Sequence, residues 1–121
     1  MATPNLINVD TITPKVAVGA VTTSRATIVD VTDEYVAKIN SLIIANIDGT
    51  NAADITVEVS TDNGSSYVKI ANTISVPADS SLSLIGKDNG FYLDETDLLA
   101  VTASANSDLT YLVSYELMKD E

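Results

Sequence analysis

Val36-Ala37-Lys38-Ile39-Asn40-Ser41-Leu42-Ile43-Ile44-Ala45-Asn46-Ile47, the polar break Asp48-Gly49-Thr50-Asn51-Ala52-Ala53-Asp54, and Ile55-Thr56-Val57-Glu58-Val59-Ser60 decide the fold. The last of these runs alternates: Ile55, Val57 and Val59 on one face, Thr56, Glu58 and Ser60 on the other. Period two marks a half-buried strand. In the first run the odd positions, Ala37 to Ile47, make an apolar or small face. The even positions start wet at Lys38 and Asn40, then turn dry at Leu42 and Ile44. A strand dry on both faces needs cover on both. The cover over Leu42 and Ile44 is expected to come from a neighbouring subunit or from the N-terminal segment, which makes these two residues candidate interface positions.

Outward from this pair the chain keeps to short strands. Asn63-Gly64, between two β-type runs, is a hairpin signal because both residues accept positive φ. Tyr67–Ile70 returns, Thr73–Val76 stops at Pro77, and Leu82–Ile85 runs into the turn Gly86–Gly90. Phe91–Leu93, Leu98–Ala103 and Leu109–Leu117 complete the C-terminal half, the last with Leu109, Tyr111, Val113, Tyr115 and Leu117 on one face. Upstream lie Lys15–Val21 and Ala26–Val31. A helix competes only over Glu95–Ala105, where Leu98, Leu99 and Val101 do not hold a 3.6-residue period. Turn signals about every ten residues point to an all-β, antiparallel β-sandwich, jelly-roll or Ig-like.

The sandwich is expected to span residues 15–121, preceded by an extended N-terminal arm over 1–14. Pro4 and Pro14 oppose a regular helix and central strand pairing there. Leu6, Ile7, Val9 and Ile12 are too apolar for a solvated tail, so the arm is expected to pack on another molecule of an assembly. The competing reading is an ordinary edge strand of the same sandwich.

Composition narrows the chemistry. The 121 residues suit one domain, and 45% hydrophobic content is enough for a core without cross-links. Cysteine and histidine are absent, which removes thiolate sites, disulfides, the usual general base and the commonest transition-metal ligand. Seventeen acids against six scattered bases leave a net charge of −11, so nucleic acid and anionic membrane surfaces are not expected partners. No apolar run reaches the length of a membrane span. Nor is there a basic leader with a long apolar core.

Three acidic clusters invite a metal reading. The Asp48–Asp54 loop offers hard oxygen ligands suited to calcium, but its spacing is not that of an EF-hand and the closing glutamate is missing. A polar turn explains the same residues. Asp30, Asp33 and Glu34, and likewise Asp94, Glu95 and Asp97, sit at turns where solvated carboxylates belong. No metal and no cofactor is expected. Without histidine no familiar triad exists, and no glycine-rich phosphate loop is present. An enzyme is therefore not expected. Tyr111 and Tyr115 fall on the core side of their strand, leaving Tyr35, Tyr67 and Tyr92 as candidates for an exposed aromatic patch.

From about Asn40 to Leu117 the chain resembles small virion structural proteins of tailed bacteriophages, cyanophages among them. The phrases that carry the resemblance are Asn46-Ile47-Asp48-Gly49-Thr50, Thr73-Ile74-Ser75-Val76-Pro77-Ala78, Tyr92-Leu93-Asp94-Glu95-Thr96-Asp97 and Ala103-Ser104-Ala105-Asn106-Ser107-Asp108-Leu109. The resemblance implies a sandwich without enzymatic activity that assembles into a particle. It brings no functional motif, so no site residues follow from it. A capsid decoration or cement protein is the leading expectation: a homo-oligomer on the capsid surface of the virion, bound to the major capsid protein or other virion proteins. The alternative is a neck, tail or fibre module that binds a receptor or glycan, which requires the tyrosine patch.

Overall fold

A computed structural model describes residues 9–86 and 88–120. Among them the chain forms nine strands and no helix: β1 (Val9–Val21), β2 (Ala26–Asp30), β3 (Tyr35–Asn46), β4 (Ala53–Ser60), β5 (Val68–Val76), β6 (Ser81–Ile85), β7 (Phe91–Leu93), β8 (Leu98–Ala103) and β9 (Leu109–Asp120). Every strand pair is antiparallel.

The pairing is nested. β4 pairs with β5, β3 with β6 and β7, β2 with β8, and β1 with β9. The chain is thus one long ribbon whose tip is the β4–β5 turn. Rolling that ribbon over itself adds the pairs β3·β9 and β4·β8. Two sheets result, in the order β1-β9-β3-β6 (with β7 also on β3) and β2-β8-β4-β5. Counting β6 and β7 as one interrupted strand gives eight strands in two sheets, the jelly roll. Of the two sandwich types compatible with the sequence, this is the one formed.

The core lies between the sheets. Val21, Ile39, Leu42, Ile44, Leu93, Leu109 and Val113 face Ile55, Val57, Val76, Leu99 and Val101 across it. Each Ile or Leu so buried contributes about 1.5–3 kcal/mol relative to exposure.

β3 reaches this core through a β-bulge. Against β9, Ile39 pairs with Tyr115 and Ser41 with Ser114, so Asn40 is an extra residue and the register shifts there. One inserted residue exchanges the two faces of a strand. Ala37 and Ile39 point inward before the bulge, Leu42 and Ile44 after it. Around Leu42 and Ile44 the strand is therefore dry on one face; at its start Val36, on the other face, is buried as well. Leu42 and Ile44, expected at an interface, are wholly buried in the chain's own core, and the cover over them is the opposite sheet.

The expected boundary at residue 14/15 is also corrected. β1 runs unbroken from Val9, paired with β9 from Val9↔Asp120 to Val21↔Leu109 apart from one register shift between Val9 and Thr11. From Val9 onward the supposed arm is an edge strand. Pro14 is tolerated because an edge strand turns part of its N–H groups to solvent. Leu6 and Ile7 lie outside the described residues.

β5 shows a second irregularity. Its register against β4 shifts twice between Ile74 and Lys69, and Thr73 has φ +48°. The Thr73 N–H donates to Thr56 Oγ1 at 3.1 Å, a side chain standing in for a ladder partner. This kink makes one strand look like two in the sequence.

Candidate functional site

The outward faces of the two sheets differ in kind. On the β2-β8-β4-β5 sheet the outward residues of β4 are Thr56 and Glu58, paired with Thr102 and Ala100 of β8. Glu58 is nearly buried there beneath Arg25, which donates Nε to Oε1 at 3.0 Å and Nη2 to Oε2 at 3.2 Å, with Lys69 Nζ at 3.7 Å from Oε2. Arg25 itself lies 3.9 Å above the Tyr67 ring. The hydrogen bonds from Arg25 hold the Glu58 carboxyl below the usual glutamate range, against the opposing effect of burial. This face is polar and closed.

The outward face of the β1-β9-β3-β6 sheet carries an exposed apolar strip along β1 and at Ile43 among serines and threonines, while Val36 and Met118 at one end of it are buried. The register stacks it in rows: Ile12, Met118 and Val36; Pro14, Glu116 and Lys38; Val16, Ser114 and Ser41; Val18, Leu112, Ile43 and Ser83; Ala20, Thr110, Ala45 and Ser81. Ile12, Val16 and Val18 are 59%, 65% and 67% exposed, and Ile43 is 38%. On the inward side of β1, Ala17 and Gly19 are small, and Tyr111 fills the space at Gly19: a Cβ there would stand 3.1 Å from the Tyr111 ring. Beside the protruding β1 row lies a hollow of about 510 Å³ lined by Val18, Ile43, Ala45, Thr110 and Leu112. Within the five rows Glu116 is the one acid, and Asn40 Nδ2 donates to it at 3.4 Å; Asp88 stands beside them, sharing a hollow with Lys38, Asn40 and Ser41.

The acids stand instead on the loops at the ends of the sandwich. Asp48 Oδ1 accepts the N–H groups of Thr50 and Asn51 at 2.8 and 3.2 Å, which with Thr50 as leading cause lowers its pKa. Asn46 underpins the same loop, donating to the carbonyls of Asn51 and Val76 and accepting from the Asp48 N–H. The Asp48 carboxylate, one of the groups that suggested calcium, thus organises a turn. Burial, and then the charge of Asp48, push Asp108 up. The other two acidic clusters meet each other: the Glu34 N–H donates to Glu95 Oε2, and Thr96 N–H to the Val31 carbonyl at 2.7 Å. Among the described residues no three His, Cys, Asp or Glu side chains gather as a metal-holding group.

The tyrosines divide. Tyr111 and Tyr115 pack against the core as expected, and so does Tyr35. Tyr67 lies under Arg25. Tyr92, 54% exposed, lines a hollow of about 310 Å³ at the rim with Val68, Ile70 and Phe91. Of the expected interface residues, Ile12 falls on the apolar sheet face, and Val9 opens β1. Val16, Val18, Ile43 and Leu112 were not singled out from the sequence. Their signal was the placing of bulky Val16 and Val18 against small Ala17 and Gly19, since an inward strand face normally carries the bulk.

No protein-family model matches the chain, and no curated protein matches it in sequence. Solved structures do. A structure described as "Bacillus endospore appendages form a novel family of disulfide-linked pili" aligns over 91% of this chain and 87% of that one, with 14% identity and a TM-score of 0.54. At that identity the likeness is one of fold. Two structures of a pentameric capsid protein isolated from metagenomic phage sequences align over 95% of this chain and 67% and 62% of theirs, with 17% identity and a TM-score of 0.42. A score of that size adds nothing to a functional argument. These 121 residues hold no cysteine, so a disulfide link of the kind named for the pili is not open to them.

Proposed function

We propose that this chain is a structural protein of a phage virion, and within the virion a capsid decoration or cement protein held on the outer shell. The observation that carries the reading is the partition of the surface. One broad sheet face carries the exposed apolar strip and few acids, while the acids crowd the loops. A protein that works by seating one face and leaving the rest in water has this surface. Strong negative charge suits the outside of a shell better than its DNA-lined interior. On this reading the chain is not an enzyme, its partners are further copies and the major capsid protein or other virion proteins, and neither nucleic acid nor membrane is bound.

The rival reading, a neck, tail or fibre module that takes a receptor or glycan, has Tyr92 and its hollow in its favour. It lacks the patch it needs, since Tyr35 and Tyr67 are engaged elsewhere. Antibody labelling of intact particles under the electron microscope separates the two. Label over the capsid faces is the expected result. Label confined to the neck or tail would overturn the capsid reading in favour of the rival's location, and particles without the chain would end both.

A further inference from the structure

We infer that the outward face of the β1-β9-β3-β6 sheet is where two copies of this chain meet, face to face about a two-fold axis. This deepens the homo-oligomeric part of the reading above and does not depend on where in a particle the chain sits.

Charge restricts where a second copy can seat. Two copies at −11 each repel one another over most of their surface. They can approach closely only through a region without acids. The rows from Pro14 to Ala20 come nearest to such a region: Glu116 is the one acid in them, and Lys38 is its neighbour across the strands. Face-to-face packing of this sheet keeps the acidic loops of both copies at the rims, in water. The polar face of the other sheet, with Glu58, Arg25 and Lys69, offers nothing comparable.

Shape agrees. A two-fold contact must be self-complementary, each copy presenting both halves of the fit. Here the protruding row Val16 and Val18 runs beside the hollow between β1 and β3. Turned about an axis near Leu112, the row of one copy enters the hollow of the other. Sheets stack face to face about 10 Å apart in this way.

Size sets the strength. Without the row in which Met118 and Val36 are already buried, strand rise and spacing give the open patch roughly 20 Å by 20 Å. Two copies therefore bury about 800 Å² in total, the size of a weak, transient contact. The association is expected to be reversible.

The test uses the full chain in sedimentation velocity over a concentration series. A dimer, or a larger assembly built on this contact, is expected for the unaltered protein. Val18→Lys and Ile43→Lys are expected to weaken it by ~30-fold or more, the size of a hot-spot loss. Both positions are exposed, so the fold is retained, and an unchanged circular dichroism spectrum checks that. Val68→Lys, on the apolar spot at β5, is the control and is expected to change nothing. Because the chain has no cysteine, Leu112→Cys supplies a second readout: mild oxidation is expected to give a covalent dimer, and Val68→Cys is not. A protein monomeric throughout the series overturns the inference. So does an assembly that Val68→Lys dissolves and Val18→Lys leaves intact. Failure here leaves the particle-labelling result untouched, and the reverse also holds.

Discussion

Arg25 and Glu58 form a two-pronged pair across the outer face of the smaller sheet, at 3.0 and 3.2 Å, with the carboxylate almost fully covered and the guanidinium still half in water. The paired carboxylate is stabilised in its charged form, so its pKa in the fold lies below the unfolded value of about 4.3. A group lowered in this way contributes stability above the unfolded pKa and loses it as pH falls through the folded one. Glu58→Gln is therefore expected to cost on the order of 1–3 kcal/mol at pH 7. The gap to the unaltered protein should narrow towards pH 3. Urea unfolding at the two pH values measures it, and a gap that widens on acidification would contradict the assignment.

Leu42 is expected to matter to folding before assembly. Leu42→Ala leaves a hole between the sheets and should cost about 2–5 kcal/mol. The loss should be the same at low protein concentration, where no assembly forms. Denaturant midpoints across a dilution series decide this, since an interface residue would show its effect only in the concentrated samples.

Gly90 sits where the backbone of β3 passes closest. A Cβ there would stand 2.6 Å from the Ile39 carbonyl oxygen, a main-chain atom that cannot swing aside. Gly90→Ala is expected to destabilise by about 1–3 kcal/mol, as overpacking does. Gly86→Ala, where a Cβ meets nothing nearer than 3.9 Å, should be tolerated far better. Equal melting temperatures for the two variants would refute the close approach.

Asp62 holds the β4–β5 turn. It accepts the Ser66 hydroxyl at 2.5 Å and N–H at 2.9 Å, and the Ser60 hydroxyl at 2.8 Å. These bonds, with that of the Ser66 hydroxyl foremost, push its pKa down to about 2. Carboxyl carbon shifts followed by NMR should show Asp62 still charged at pH 3, where solvated aspartates are largely protonated. Replacing Ser66 by Ala should return its titration towards the ordinary range.

Much of the fold was legible because strands announce themselves by local means. Pro77 ends β5 at Val76, Asn63 and Gly64 take φ +58° and +90° in the turn they foretell, and the five alternate residues of β9 face inward. What could not be read was any feature that depends on counting. The bulge at Asn40 turns Leu42 and Ile44 from the outer face to the core, and no side chain marks the skipped pairing. The candidate contact face suffered the same way. Ile43 looks inward if one counts straight through Asn40 and outward if one does not. At residues 9–14 proline argued against central pairing only, and the edge strand was the competing reading. An edge tolerated it.

The nesting of the strand pairs bears on how the chain acquires its shape in time. The innermost pair, β4 and β5, is joined by seven residues, Thr61 to Tyr67. The outermost, β1 and β9, joins the two ends of the described chain. Closing a long loop costs more entropy than closing a short one, and non-local pairing slows folding. The order of events is therefore written into the ribbon: the tip zips first and β1 settles last. Until it does, β9 exposes an unpaired edge, and in a crowded cell that interval is when a foreign strand can take its place. Pulse-labelled hydrogen exchange should find the amides of β4 and β5 protected before those of β1, and the opposite order would show that the ribbon closes from its open end.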